Sequence, residues 1–320
     1  MEIRKSTINS NEVPDKNGSV IPDSKANGSP FLVSVTSPQP GRKAMSEIFL
    51  TVVIPAYNEA RRLPDSLTKV LQFLEAQSYA SEIIVVDDGS TDATSLAVEK
   101  LLTERMGKAT AANQLDQAEL SQVQECQFKL IQNEHRGKGY AVRSGMLQGR
   151  GKYILFSDAD LSTPIEEAEK LLFWLDQGFD VAVGSREGQG ARRYDEPFYR
   201  HLMGRVFNLL VRTVTRSQLQ DTQCGFKAFT RTASHDLFRR VQLYGEQSGI
   251  VKGAMVTGFD VEVLFLAQKK GYRIKEVPVR WYHVGESKVN PVRDSLRMIR
   301  DIVKVRLNDL GGHYKSSEQD

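Results

Sequence analysis

The chain has few of the features that would settle its class at a glance. Its 320 residues include only two cysteines, Cys126 and Cys224, and no C-x-x-C pair. Two distant thiols argue against a disulfide framework or a structural zinc site, and point to a reducing compartment. The longest apolar run, Ile48 to Ala56, is broken by Thr51 and Pro55. A bilayer-spanning helix needs about 20 consecutive apolar residues, so no span is expected. The first residues lack the basic-then-apolar order of a secretory signal. A formal net charge of +3 is too small to argue for nucleic acid as a partner, although the balance leans basic toward the C-terminus. Two nucleotide signatures are missing as well. The first strand-to-helix turn reads Pro55-Ala56-Tyr57-Asn58-Glu59 in place of G-x-G-x-x-G, which argues against a Rossmann dehydrogenase. No G-x-x-x-x-G-K-S/T occurs, which argues against a P-loop ATPase.

What is present is an alternation. Residues 1–46 are rich in Ser, Asn, Pro, Gly and Lys without periodicity, and read as a disordered tail. Order is expected from Phe49–Ile54, a buried strand closed by Pro55, followed by a helical stripe of Leu63, Leu67, Val70, Leu71 and Leu74. Strand Ile83–Val86, helix Thr91–Leu102, strand Phe128–Ile131, helix Gly139–Leu147, strand Tyr153–Phe156, helix Pro164–Gln177 and strand Phe179–Val183 continue the pattern. The polar stretch Thr103–Gln127 reads as a helical extension or a surface insertion. Such alternation predicts an α/β fold with a doubly wound, mostly parallel sheet and helices on both faces. The expected units are residues 47–290 as the α/β domain and 291–320 as a basic amphipathic helix and tail.

Two acidic clusters end two of these strands: Asp87-Asp88-Gly89-Ser90 after Glu82–Val86, and Asp158-Ala159-Asp160 after Lys152–Phe156. A parallel sheet delivers the residues at its strand ends to a ligand crevice. Several carboxylates gathered there repel one another unless a positive group lies between them, and a divalent metal carrying a diphosphate would answer that need. In an extended backbone the spacing of Asp158 and Asp160 puts both carboxylates on one side. Alone, such a pair is more often a solvated turn or a helix cap; its place at the end of an apolar strand, with a second acidic cluster upstream, favours the metal site. Arg136-Gly137-Lys138-Gly139 is either a plain loop before a helix or a flexible loop whose two cations close over phosphates.

The string Val53-Ile54-Pro55-Ala56-Tyr57-Asn58-Glu59, followed by Asp87-Asp88-Gly89-Ser90-Thr91-Asp92 and Asp158-Ala159-Asp160, resembles the family 2 glycosyltransferases of GT-A fold. Further motifs are similar to the polyprenyl-phosphate branch of that family. They are Arg136–Gly139, Gly184-Ser185-Arg186, Asp221-Thr222-Gln223-Cys224-Gly225-Phe226-Lys227, Phe259-Asp260-Val261-Glu262 and Gly285-Glu286-Ser287-Lys288. Within the branch, the Asp221–Lys227 run is closest to members that load glucose onto dolichyl-type phosphates. The similarity spans about Leu50 to Leu310.

The resemblance implies roles. Pro55, Tyr57, Glu59, Val86 and Asp88 would form the nucleoside pocket, with Asp88 accepting from the uracil N–H and Tyr57 beside the base. Ala159 and Lys138 would join the nucleotide-sugar site. Asp158 and Asp160 would hold ribose and metal, Mg²⁺ or Mn²⁺, with some sharing, and a third metal contact of some relatives falls here on Ser162. Arg186, Lys227 and Lys288 would face phosphates. Asp221 would act beside the anomeric carbon, orienting the nucleophile or stabilising positive charge. Asp87 has a fold role or supports the site, and Glu262 either supports the site or sits on a helix surface. A phosphomonoester has a second pKa near ~6, so the acceptor needs no strong base and one in-line displacement with inversion is expected.

Two segments, 197–215 and 291–310, interleave apolar residues with arginine and lysine. Basic amphipathic helices of this kind lie in a lipid interface or pack on a catalytic domain. Relatives often carry a membrane anchor; none is read in this sequence, so reversible attachment at the cytoplasmic face is expected. Segment 243–258 reads as an extra loop near the acceptor side. The implied activity is glucose transfer from UDP-glucose to a polyprenyl phosphate. A GDP-mannose-dependent counterpart and a non-catalytic nucleotide-sugar-binding or membrane-scaffold protein are the alternatives.

Overall fold

A computed structural model of the chain describes residues 31–34, 47–112, 126–194, 208, 211–215, 218–253, 258–284 and 291–314. An eight-stranded sheet runs through it in the order β1-β4-β3-β2-β5-β8-β6-β9. The strands are β1 (Phe31–Ser34), β2 (Leu50–Ala56), β3 (Ser81–Asp87), β4 (Cys126–Gln132), β5 (Tyr153–Ser157), β6 (Val181–Ser185), β8 (Phe226–Thr230) and β9 (Ile274–Pro278). Two short strands, β7 (Arg192–Tyr194) and β10 (Arg280–Tyr282), pair parallel in a separate ribbon. The helices are α1 (Leu63–Glu75), α2 (Thr94–Ala112), α3 (Lys138–Gln148), α4 (Ala168–Asp176), α5 (Arg231–Arg240), α6 (Phe259–Lys269) and α7 (Pro291–Leu310).

The parallel half, β4-β3-β2-β5, is the one the sequence pattern announces. β2, β3 and β5 are buried on both faces, which is why their centres read as apolar runs, while β4 is buried only at Leu130 and Ile131. Alternate residues go to opposite layers. Val52, Ile54, Ile83 and Val85 meet Leu67, Leu71 and Leu74 of α1 and Leu171 and Leu175 of α4. Val53, Ile84 and Val86 meet Val142 and Met146 of α3, with Leu237 of α5 and Leu264 of α6 in the same layer. The doubly wound sheet with helices on both faces is therefore present.

Several details differ from the sequence reading. The expected helix over 164–177 is a 3₁₀ turn at Ile165–Glu167 followed by α4. The strand expected at 179–183 starts two residues later. The polar stretch after Leu102 continues α2 as far as Ala112. Phe31–Ser34, expected from composition to lie in a structureless tail, pairs antiparallel with β4; its backbone covers an edge that would otherwise leave groups unpaired. The largest addition is β8, which lies antiparallel between β5 and β6. Five residues following a polar loop carry too little periodicity to mark a central strand. No helix among the described residues is long and apolar enough to cross a membrane.

The insertion of β8 is anchored by aromatic packing. Phe229 is fully buried, with its ring 6.4 Å from Phe156 and 5.6 Å from Phe238. Phe229→Ala is expected to lower stability by about 3–5 kcal/mol, read as a shift in the urea unfolding midpoint. A shift worth less than about 1 kcal/mol would contradict the assigned central position of β8.

Candidate active site

The site is assembled by three loops at the carboxyl edge of β2, β3 and β5. Asn58, in left-handed backbone at φ 55°, organises the first two. Its Oδ1 accepts from the backbone N–H of Thr91 at 2.8 Å and Asp92 at 3.3 Å, and its own N–H donates to Ser90 Oγ at 2.9 Å. The next N–H, that of Glu59, donates to Thr94 Oγ1 at 2.8 Å. Asp87 belongs to the same lacing: it accepts from Ser90 N at 2.8 Å and from the Ser95 hydroxyl. Its part is therefore in the fold of the turn.

Asp88 ties in the loop before α3. Its Oδ1 accepts from Arg136 N at 3.0 Å, and its Oδ2 from Gly137 N at 2.8 Å and His135 Nδ1 at 2.8 Å. Burial pushes the carboxyl up from its ordinary value, against the pull of those donors. Gly137 meets the carboxylate at φ 95°, a conformation that L side chains rarely adopt. The His135 ring lies flat on Tyr57, with centroids 3.8 Å apart and planes 2° from parallel.

A cavity of about 220 Å³ opens between these loops. Pro55, Ala56, Tyr57, Glu59 and Asp88 line it together with Lys138, Asp158, Ala159, Asp160, His135 and Ala141. Eight residues expected at the nucleotide and metal site thus share one cavity.

The Asp-x-Asp segment is not extended, contrary to the expectation from its spacing. It forms a turn, with Leu161 N donating to Asp158 O at 3.1 Å and Leu161 at φ 47°. Lys138 Nζ stands 2.5 Å from Asp158 Oδ1. A Cβ on Gly225 would fall 2.1 Å from Asp158 Oδ2, so only glycine leaves this carboxylate its place. Asp160 Oδ1 accepts from Ser162 N at 3.0 Å and Ser162 Oγ at 2.9 Å. Ser162 therefore steadies Asp160. Burial first, and the neighbouring Asp158 charge second, push the Asp160 carboxyl upward. No group of three His, Cys, Asp or Glu side chains suited to caging a metal occurs among the described residues. Two crowded carboxylates facing a cavity nevertheless fit a divalent ion that takes its other ligands from a bound diphosphate and water.

Other expected residues lie elsewhere. Val86 is fully buried in the layer against α3, away from the cavity lining, because its strand position points to that face. Asp221 is fully buried and is not a cavity group; the sequence could not show that its carboxylate is already occupied. It accepts from Arg186 Nε at 2.7 Å, Nη2 at 2.9 Å and backbone N at 3.0 Å, and from Gln223 N at 3.1 Å. Burial alone would raise its carboxyl, but the Arg186 guanidinium and these donors hold it well below the usual range. Asp221, expected to act on the sugar, is thus bound to Arg186 and lies outside the cavity lining. Lys227, expected to face a phosphate, is 1% exposed, donates to Asp260 Oδ1 and Cys224 O at 2.5 Å each, and lies outside the cavity lining. Glu262 is not on a helix surface: it is fully buried, accepting from Gln242 N at 2.7 Å and Tyr314 OH at 2.6 Å. Lys288 lies outside the described residues.

Sequence reasoning missed His135, Gly225 and Asp260. The last two sit inside quoted motifs, so their presence was visible but not their task. Nothing in the sequence marks the stacking of His135 on Tyr57.

The model of the family described as Glycosyl transferase family 2 matches residues 51–238. The chain belongs to glycosyl transferase family 2. Among its relatives, a dolichyl-phosphate beta-glucosyltransferase of Drosophila melanogaster is 37% identical over 280 residues, covering 83% of this chain and 77% of the relative. Enzymes of the same name from Dictyostelium discoideum and Homo sapiens are 33% and 34% identical, covering 86% and 83% of this chain and 79% and 77% of theirs. By that kinship this family 2 protein is a hexosyltransferase. Its fold is also that of glucosyl-3-phosphoglycerate synthase from Mycobacterium tuberculosis. The UDP complex of that enzyme aligns with TM-score 0.53 at 18% identity, over 86% of this chain and 87% of the other.

Gly225→Ala is expected to displace the Asp158 carboxylate and lower transfer activity by about 100-fold, with an unchanged circular-dichroism spectrum. Activity within twofold of the parent would show that the contact does not hold Asp158 in place.

Proposed function

We propose that this glycosyltransferase moves glucose from UDP-glucose to a polyprenyl phosphate of the dolichyl type, with inversion and with Mg²⁺ or Mn²⁺ bound at Asp158 and Asp160. The observation that carries this reading is the shared cavity of Tyr57, Asp88, Lys138, Asp158 and Asp160, in a chain similar to enzymes named for that transfer. Structures of the Mycobacterium tuberculosis synthase include complexes with Mg²⁺ and UDP, and with Mn²⁺ and UDP-glucose, which supports the choice of ion and donor.

In this reading Tyr57, with His135 stacked behind it, presents an aromatic wall to the base. The three donors on Asp88 hold the end of β3 and the loop before α3 at a fixed separation. Lys138 places an ammonium where a diphosphate would lie. A bound divalent ion would neutralise charge on the leaving diphosphate. Asp221 fixes Arg186, whose guanidinium also lies over the Trp281 ring at 5.5 Å, and that cation would meet an anionic acceptor. The acceptor phosphate is largely a dianion at neutral pH, so no base has to remove a proton from it.

The lipid acceptor places the enzyme at a membrane, by this reading at its cytoplasmic face. One side of α7 exposes Leu296 at 64%, Val303 at 47%, Leu307 at 60% and Leu310 at 78%, while Met298, Ile302 and Val305 face inward. Arg300 and Lys304 are exposed on the same helix. Apolar residues flanked by cations suit an anionic lipid surface.

Purified protein incubated with Mg²⁺, a short polyprenyl phosphate and a panel of nucleotide sugars is expected to form a glucosyl lipid from UDP-glucose. Product from GDP-mannose alone would replace the donor assignment. Asp160→Ala should abolish turnover without unfolding; unchanged metal-dependent turnover would remove Asp160 from the site. In flotation with anionic liposomes the protein should rise with the lipid, and Leu307→Asp/Leu310→Asp should leave most of it at the bottom. Equal flotation of both would rule out this face of α7.

A further inference from the structure

Behind the cavity the charges alternate inward. Asp158 pairs with Lys138 at 2.5 Å, and Lys227 pairs with Asp260 at 2.5 Å. Lys227 and Asp260 are both buried, at 1% and 7% exposure. The two pairs are neighbours. Lys138 opens α3 and Asp260 lies in the first turn of α6. A methyl on Gly139 would stand 2.8 Å from Phe259 Cβ, so those first turns abut. The contact on Gly225 leaves Asp158 little room to retreat.

An ammonium 2.5 Å from Asp158 Oδ1 repels a divalent ion that would bind the same carboxylate. We propose that Lys138 and the divalent cation compete for Asp158, and that Asp260, steadied by Lys227, is the counter-charge to which Lys138 turns when the cation takes its place. Asp260 is then a positioning residue acting through Lys138. The lysine is kept at the mouth of the site, where it meets the diphosphate, instead of being driven into solvent. Lys227 has a matching reason to be buried: it fixes Asp260 and balances its charge inside the core, where an unpaired carboxylate would be costly.

This inference rests on the metal-assisted reading above, and the test separates the two. Mn²⁺ binding is read from loss of the free-ion electron paramagnetic resonance signal, with and without UDP. If the parent protein with UDP binds no Mn²⁺, the metal reading falls and this inference falls with it. Given binding, Lys138→Gln should tighten Mn²⁺ alone by roughly tenfold, and Asp260→Asn should weaken it by a similar factor. The weakening should vanish when Asp260→Asn is combined with Lys138→Gln. A charge effect independent of the lysine would persist in both backgrounds and would overturn the proposal, as would a Lys138→Gln protein with parental Mn²⁺ affinity. Asp260→Asn alone leaves Lys227 buried without its partner and endangers folding. The charge-neutral pair Asp260→Asn/Lys227→Met should show the same weakening and the same dependence on Lys138; parental affinity in that pair would equally overturn the proposal.

Discussion

Carboxylates crowded at one edge of a sheet must each find a positive or hydrogen-donating partner, and most of this site follows from how they do so. Asp87 takes the N–H and hydroxyl groups of its own turn and the following helix. Asp88 takes two backbone N–H groups and an imidazole from the loop before α3. Asp160 takes Ser162. Asp158 has a mobile-ended lysine instead of fixed backbone donors. That difference divides the four: three are locked into the scaffold, and the fourth is held by a side chain that can be exchanged. Exchange at Asp158 would let a charged ligand take the lysine's place while the partners of the other three stay fixed.

The segment from Asp221 to Thr230 shows how much of a motif can be scaffold. Asp221 aims Arg186, Gly225 makes room for Asp158, Cys224 O and Asp260 receive Lys227, and Phe229 closes the core. Only the effects of these residues reach the cavity. Their strength comes from burial: an ion pair such as Asp221–Arg186, removed from water, holds its geometry far more tightly than an exposed one, and losing one partner strands the other. The geometry of the cavity thus depends on a layer that does not line it.

A second connection runs from the cavity toward α7. Val251 N donates to His135 O at 2.9 Å, and Arg136 reaches Glu246 O at 3.0 Å. On the other side of the same loop, Tyr244 OH and Gly258 N both donate to Asp301 Oδ2 of α7, at 2.7 and 3.0 Å. The loop expected near the acceptor is therefore bonded both to the ring stack beside the cavity and to the helix carrying the exposed apolar face. Its place in the structure is to join those two regions.

The parallel half of the sheet, its flanking helices and the delivery of Asp88, Asp158 and Asp160 to one edge were legible in the sequence, because period and strand-end position are local properties of the chain. Lys138 and Tyr57 were reachable through their motifs. The states of Val86, Asp221 and Lys227 were not, because which face a residue meets and who else occupies its hydrogen bonds depend on segments far away in sequence. The turn at Asp158–Asp160, the stack of His135 on Tyr57 and the place of β8 between β5 and β6 have the same origin. Residue types decided that acids and cations would gather at the sheet's edge; only tertiary packing decided which of them were bound to one another and which were left to face the cavity.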